Sequence, residues 1–158
     1  MELDVFFQIA EFLYDEAGVN FRADIRSLKF KRCNDAKISA AAAQVGDPRE
    51  AATTVGPMAR GDLRDGLAKQ VSASVAAGAR CLLGGVVPDQ PGFWYPPTLL
   101  VDVTDGMPVW DEETFGPVAA VLPFRDEAHA IELANDSIYG LSGSPWTRDA
   151  KRAMRVAR

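Results

Sequence analysis

The residues of this sequence best suited to chemistry lie together in the segment Glu112–Pro117, whose sequence is EETFGP. Its two carboxylates offer hydrogen-bond acceptors, and its aromatic ring offers a flat apolar surface. The Gly-Pro break leads directly into the apolar run Val118–Leu122, which is typical of a buried strand. A short stiff loop therefore delivers polar groups to a strand edge, where binding residues are often found. Taken alone, a solvated acidic pair and a core aromatic residue would explain the same segment.

A nucleophile or a general base is harder to find. The positive charges at residues 29–32 would lower the thiol pKa of Cys33 and favour its thiolate, but this is weak evidence for catalysis, and we interpret Cys33 as incidental. Cys81 lies in a short apolar run and is most simply a small core residue. His129, the single histidine, has no cysteine or histidine near it on its predicted helix. We therefore predict no catalytic residue and no metal site in this chain.

The composition excludes several classes of protein. With 158 residues and 47% apolar content, the chain is long enough to bury a core. The net charge of −5 is spread over alternating signs, so we expect neither nucleic acid nor a membrane surface as a partner. No apolar run approaches the roughly 18 residues of a spanning helix, and the N-terminus lacks the basic start of a signal peptide. Two cysteines without a CxxC pair suit a reducing compartment, so we expect a cytoplasmic location.

The first 44 residues are interpreted as an unassigned, mainly helical segment. From Met1 to about Gly18, apolar residues recur at three- and four-residue spacing, which predicts a helix of about four turns. A second, alanine-rich helical piece is predicted from about Asn34 to Gln44. The residues between these two pieces show no firm period.

From Val45 onward, predicted strands alternate with predicted helices, which favours an α/β sheet covered by helices. In the first long helix, Leu63, Leu67, Val71 and Val75 form the apolar stripe, and Lys69 and Gln70 are expected on other, exposed faces. Helices are predicted at 62–77, 107–112 and 126–135 and from 149 onward, and strands at 80–83, 98–103 and 118–124.

Several motifs in this order resemble the NAD(P)-dependent aldehyde dehydrogenase family. Besides EETFGP, they are VGDP at 45–48, VGPMAR at 55–60, and Asn135-Asp136 followed by Tyr139-Gly140-Leu141. Thr114 and the segment Gly56–Asp65 are most like the succinate-semialdehyde dehydrogenase branch. Pro145 departs from the family pattern, and an edge strand would accommodate it. The resemblance implies that residues 45–158 form part of the family's catalytic domain, with a helix-covered, mainly parallel sheet and a helical N-terminal segment ahead of it.

The resemblance also implies what the motif would do. Glu113 would accept hydrogen bonds from the hydroxyls of the nicotinamide ribose of NAD or NADP, Phe115 would pack near the nicotinamide ring, and Gly116-Pro117 would keep the loop rigid. The family oxidises an aldehyde, here by resemblance succinic semialdehyde, to its acid through a cysteine thiolate and a carboxylate that activates water.

Parts of the family pattern have no match here. Cys33 is not in the family's Gly-Gln-x-Cys turn, and neither the general-base segment nor the Rossmann-like cofactor domain is recognisable. We therefore expect a truncated chain that has no dehydrogenase activity alone. The alternative is a non-catalytic binding or assembly module derived from such an enzyme. Unpaired strand edges in a partial sheet would favour self-association, so a homo-oligomer is an open expectation.

Overall fold

The computed structural model describes residues 41–140 and 149–158, together with the backbone of residues 4–6 and 144–146. Cys33 and most of the predicted segment 34–44 lie outside these residues. The elements in chain order are β1 Asp4–Phe6, α1 Gly61–Ala76, β2 Arg80–Leu83, β3 Thr98–Val101, α2 Pro108–Asp111, β4 Val118–Val121, α3 Glu127–Asn135, β5 Ser144–Trp146 and α4 Ala150–Val156.

The main sheet has the strand order β2-β3-β4. β3 pairs with β2 in the antiparallel sense and with β4 in the parallel sense. All four residues of β3 are buried, as expected for a central strand covered on both faces. The parallel pair requires a crossover connection, and this connection carries α2 and the Glu112–Pro117 segment. The predicted α/β class is confirmed, with a small mixed sheet.

The core lies between α1 and the sheet. Leu67 and Val71 of α1 are each 2% exposed, as the predicted stripe requires, but Val75 is 41% exposed. Residues four apart turn about 40° beyond a full helical turn at each step, so a strict four-residue stripe winds off the buried face. Ser74 occupies the buried position instead. The buried core cluster consists of Met58, Leu67, Val71, Ala79, Tyr95, Leu100, Val103, Met107 and Val109.

The helix predicted from Met1 to Gly18 is wrong at Asp4–Phe6, which form β1. This strand pairs antiparallel with β5, with Val5 opposite Pro145. Backbone pairing with a strand far along the chain outweighs a local helical period, and valine and phenylalanine are favourable strand residues. Among the described residues β5 pairs with β1 alone, and an edge position for Pro145 stays a prediction.

Candidate functional site

The segment Glu112–Pro117 links α2 to β4 and is anchored at both ends. α2 begins with Pro108, whose missing N–H is no loss in the first turn of a helix, and it ends where the Glu112 amide donates to Pro108 O at 3.0 Å. At the other end, Pro117 O accepts a 2.8 Å hydrogen bond from the Thr98 amide, where the parallel ladder of β3 and β4 begins. The loop therefore has a fixed entry and a fixed exit.

A buried serine fixes α2 on α1. Ser74 Oγ accepts a 3.1 Å hydrogen bond from the Val109 amide, one of the N–H groups that the start of a helix leaves without an internal partner. Ser74 is fully buried and Val109 is 5% exposed, so water cannot replace this bond. The start of α2, and with it the entry to the loop, is thus tied to the long helix.

The loop itself is tightly turned and packs directly on α1. The Gly116 amide donates to Thr114 O at 3.0 Å, and the Val118 amide donates to Gly116 O at 2.8 Å. A Cβ atom at Gly116 would lie 2.4 Å from Leu67 Cδ2 and 3.3 Å from Met58 Cε. Glycine is therefore favoured here by close approach, because a Cβ atom would fit only if buried Leu67 or the loop moved.

A second residue of α1 contacts the motif directly. Gln70 Nε2 lies 2.9 Å from Glu112 Oε2 and 3.0 Å from the main-chain oxygen of Glu113, and it donates to both. The expectation that Gln70 is exposed on another face is wrong, since it is half-buried against the loop. Neither Gln70 nor Ser74 was predicted from the sequence to support the motif. The only available indication was their position beside the apolar stripe.

The two residues predicted to bind a cofactor, Glu113 and Phe115, lie on this loop and are both half-buried. Phe115 differs in this from Tyr95, the core aromatic, which is fully buried. The structure therefore places the Glu113 carboxylate and the Phe115 ring beside the rigid Gly-Pro turn. Both side chains are partly covered by protein and partly accessible. Their role toward a cofactor stays a prediction.

The other candidate side chains have structural contacts. Cys81 is half-buried against the core, and its thiol donates to Leu83 O at 3.2 Å. His129 Nδ1 accepts from the Arg125 amide at 3.1 Å. The His129 amide donates to Asp126 Oδ1 at 2.9 Å, and Asp126 thereby caps α3. Within the described residues, no group of three metal-ligating side chains occurs, and no helix is long and apolar enough to cross a membrane.

Glu127 and Tyr95 are two of the ionisable groups away from the loop that have shifted pKa values. Hydrogen bonds from Arg155 and then Arg152 hold the pKa of the Glu127 carboxyl below its usual value, and these bonds join α3 to α4. Burial raises the pKa of the Tyr95 phenol. The nearby Thr98 hydroxyl opposes this shift, but it forms no hydrogen bond of normal geometry with the phenol. The Tyr95 hydroxyl is therefore buried without a partner among the described residues.

Comparison with known proteins identifies a family. The model of the aldehyde dehydrogenase family matches residues 30–158, so the match begins ahead of Val45. A succinate semialdehyde dehydrogenase of Escherichia coli strain K12, named for NAD(P)+, is 50% identical over 119 residues, which are 75% of this chain and 26% of that protein. The NADP(+) succinate-semialdehyde dehydrogenase of Mycobacterium avium strain 104 is 47% identical over 114 residues, with 72% of this chain and 24% of that protein covered.

A solved structure agrees with these relatives. The succinic semialdehyde dehydrogenase from Streptococcus pyogenes, in complex with NADP+ as the cofactor, matches with a TM-score of 0.75 at 31% identity. The match covers 79% of this chain and 28% of that one. The chain thus spans about a quarter of the length of the relatives that it matches.

Proposed function

The chain belongs to the aldehyde dehydrogenase family, and we propose that it supplies one wall of the NAD(P) site of an enzyme that oxidises succinic semialdehyde to its carboxylic acid. The observation that carries this proposal is the Glu112–Pro117 loop, which is fixed at both ends and packed on α1. Half-buried Glu113 and Phe115 lie two residues apart on it. A rigid loop of this kind suits ligand binding because little conformational freedom is lost when the ligand binds.

The residues present fit a nicotinamide nucleotide by their chemistry. A carboxylate can accept hydrogen bonds from two neighbouring hydroxyls of a ribose, so Glu113 would hold the nicotinamide ribose. The Phe115 ring would pack near the nicotinamide and restrict its position, and the Gly116-Pro117 turn would hold both side chains in place. When bound, NAD or NADP accepts the hydride that the aldehyde loses. In these roles, the residues of this chain bind and orient the cofactor.

The proposed substrate rests on the relatives. Two of them, about half identical to this chain in the matched region, are named as succinate-semialdehyde dehydrogenases. Thr114 and the segment Gly56–Asp65 also resemble that branch of the family. A cytoplasmic location and a homo-oligomeric state stay predictions, the first from cysteine usage and the second from the partial sheet.

Cofactor binding can be tested with a reporter that the chain already contains. Trp110 lies in α2, two residues before Glu112, and packs against the core cluster. Excitation of the chain's three tryptophans, of which Trp110 is next to the loop, should therefore produce energy transfer to bound NADH or NADPH. Glu113→Ala should abolish this transfer, whereas Glu132→Ala, which removes an exposed carboxylate from α3, should leave it unchanged. Equal transfer in the wild type and Glu113→Ala would contradict the proposed role of Glu113.

We also propose that the 158-residue chain by itself does not turn over aldehyde, because it carries no cysteine in a Gly-Gln-x-Cys turn. The test is an assay of the purified chain with succinic semialdehyde and NAD+ or NADP+, followed by the absorbance of the reduced cofactor. No turnover is expected in a preparation shown to be folded. Turnover that Cys33→Ala abolishes would overturn this part of the proposal and make Cys33 the nucleophile.

A further inference from the structure

We propose that Gln70 is a positioning residue for the cofactor site. Gln70 holds the main chain at Glu113 and thereby sets the direction of the Glu113 carboxylate. This inference rests on the proposed function, but the hydrogen bonds that support it lie within the chain itself. The side-chain amide of Gln70 donates to Glu112 Oε2 and to Glu113 O, at 2.9 and 3.0 Å. No motif of the sequence assigns this residue a role.

The chemistry of the contact fixes how the amide is oriented. A glutamine side chain carries two N–H donors on nitrogen and an acceptor oxygen. Both partners here, a carboxylate oxygen and a carbonyl oxygen, can only accept, so the NH2 group must face the loop. One hydrogen restrains the main chain at Glu113, and the other holds the side-chain carboxylate of Glu112.

Gln70 is well placed to hold the loop because its own backbone is rigid. It lies within α1, between Leu67 and Val71, which are both nearly fully buried. The bond spans 43 positions in the chain, from α1 to the loop after α2, so it couples the loop to the most firmly packed helix. Gln70 would act through Glu113 and would not itself contact the reacting atoms.

The first test compares Gln70→Met with the matched variant Lys69→Met, which replaces an exposed neighbour on the same helix. Methionine keeps the length of glutamine but has no donor. Amide hydrogen exchange at Gly116 and Val118 reports local opening of the loop. Loss of one or two hydrogen bonds should accelerate exchange there by about 5- to 30-fold in Gln70→Met and not in Lys69→Met. The Ala79 amide, bonded to Ser74 O at the end of α1, should exchange as in the wild type.

Rescue distinguishes positioning from general stabilisation. Gln70→Lys restores N–H donors at this position, so it should return the Gly116 and Val118 exchange rates toward those of the wild type. Unchanged exchange at these two amides in Gln70→Met would overturn the inference. Equal acceleration at Ala79 would also overturn it, because the residue would then stabilise the fold as a whole.

The second readout is affinity for nicotinamide mononucleotide, measured by shifts of the loop amides in spectra of the labelled chain. Gln70→Met should raise the dissociation constant by about 5- to 30-fold relative to Lys69→Met. An unchanged dissociation constant would refute the positioning role even if exchange were faster. If the unmodified chain does not bind the nucleotide, the proposed function and the cofactor part of the inference both fail, whereas unchanged exchange in Gln70→Met is a failure of the Gln70 contact alone.

Discussion

Gly116→Ala is the substitution that most directly tests how the loop packs on α1. The added Cβ would lie 2.4 Å from Leu67 Cδ2 and 3.3 Å from Met58 Cε. Carbon atoms in ordinary contact are about 3.5 to 4.0 Å apart, so the loop or the leucine must move by about 1 Å. Leu67 is 2% exposed and therefore has little room to move.

The expected cost follows from overpacking. A methyl group forced into a filled core destabilises by about 1 to 3 kcal/mol, because neighbouring side chains or the backbone must shift. The chain offers a matched control at Gly66, which lies in α1 and where an added Cβ meets nothing within 4 Å. Gly66→Ala should stabilise by about 0.5 to 1 kcal/mol, because alanine loses less backbone entropy in a helix. The same chemical change should thus have opposite signs at the two positions.

The assay is urea unfolding followed by circular dichroism, for the two glycine variants, Leu67→Ala and the double variant Leu67→Ala/Gly116→Ala. Leu67→Ala alone should cost about 2 to 5 kcal/mol. In the double variant the clash with Leu67 is gone, so the total cost should be smaller than the sum of the single costs by about 0.5 to 3 kcal/mol. A Gly116→Ala variant as stable as the wild type, or strictly additive costs in the double variant, would refute the packing of the loop on Leu67.

Three further predictions concern stability. Ser74→Ala should cost about 1 to 3 kcal/mol of unfolding free energy in urea, because it leaves the buried first-turn amide of α2 without a partner, whereas exposed Ser72→Ala should change it by less than about 0.5 kcal/mol. Glu127→Gln should lower the melting temperature at neutral pH. The pKa of Glu127 is lowered in the folded state, so the difference in melting temperature from the wild type should shrink as pH falls below about 4.3. It should disappear once the pH is below the lowered pKa. Tyr95→Phe should keep or raise stability, by up to about 1 kcal/mol, because it removes a buried hydroxyl without a partner. Burial raises the pKa of Tyr95, so the phenol ionises first in the unfolded chain, above about pH 10. The melting temperature of the wild type should therefore fall in that range relative to Tyr95→Phe. Parallel pH profiles of the two melting temperatures would contradict the burial of that phenol.

The elements that sequence predicted well are those set by local interactions. Asp126 caps α3 and Asp149 caps α4, and both helices begin within a residue of their predicted starts. Such caps depend on hydrogen bonds within three residues, so a short sequence window contains the whole interaction. β3 likewise follows from a continuous run of strand-forming residues.

What sequence could not predict depends on contacts between distant segments. The Ser74 to Val109 bond spans 35 positions and the Gln70 to Glu112 bond spans 42, so neither leaves a local pattern. β1 was mistaken for a helix because its strand state depends on β5, more than a hundred positions away. The motif itself was found from its residue types, but the way in which α1 supports it required the fold.

The most direct test of the account is a map of where the chain meets a nicotinamide nucleotide. Amide spectra of the isotopically labelled chain would be recorded during titration with NAD+ and NADP+ up to about 10 mM, since a partial site should bind in the millimolar range. We expect the amides from Glu113 to Gly116 to shift, and Glu113→Ala to remove these shifts. Shifts confined to other parts of the chain, or none at these amides with either nucleotide, would contradict the proposal that this loop is a wall of the cofactor site.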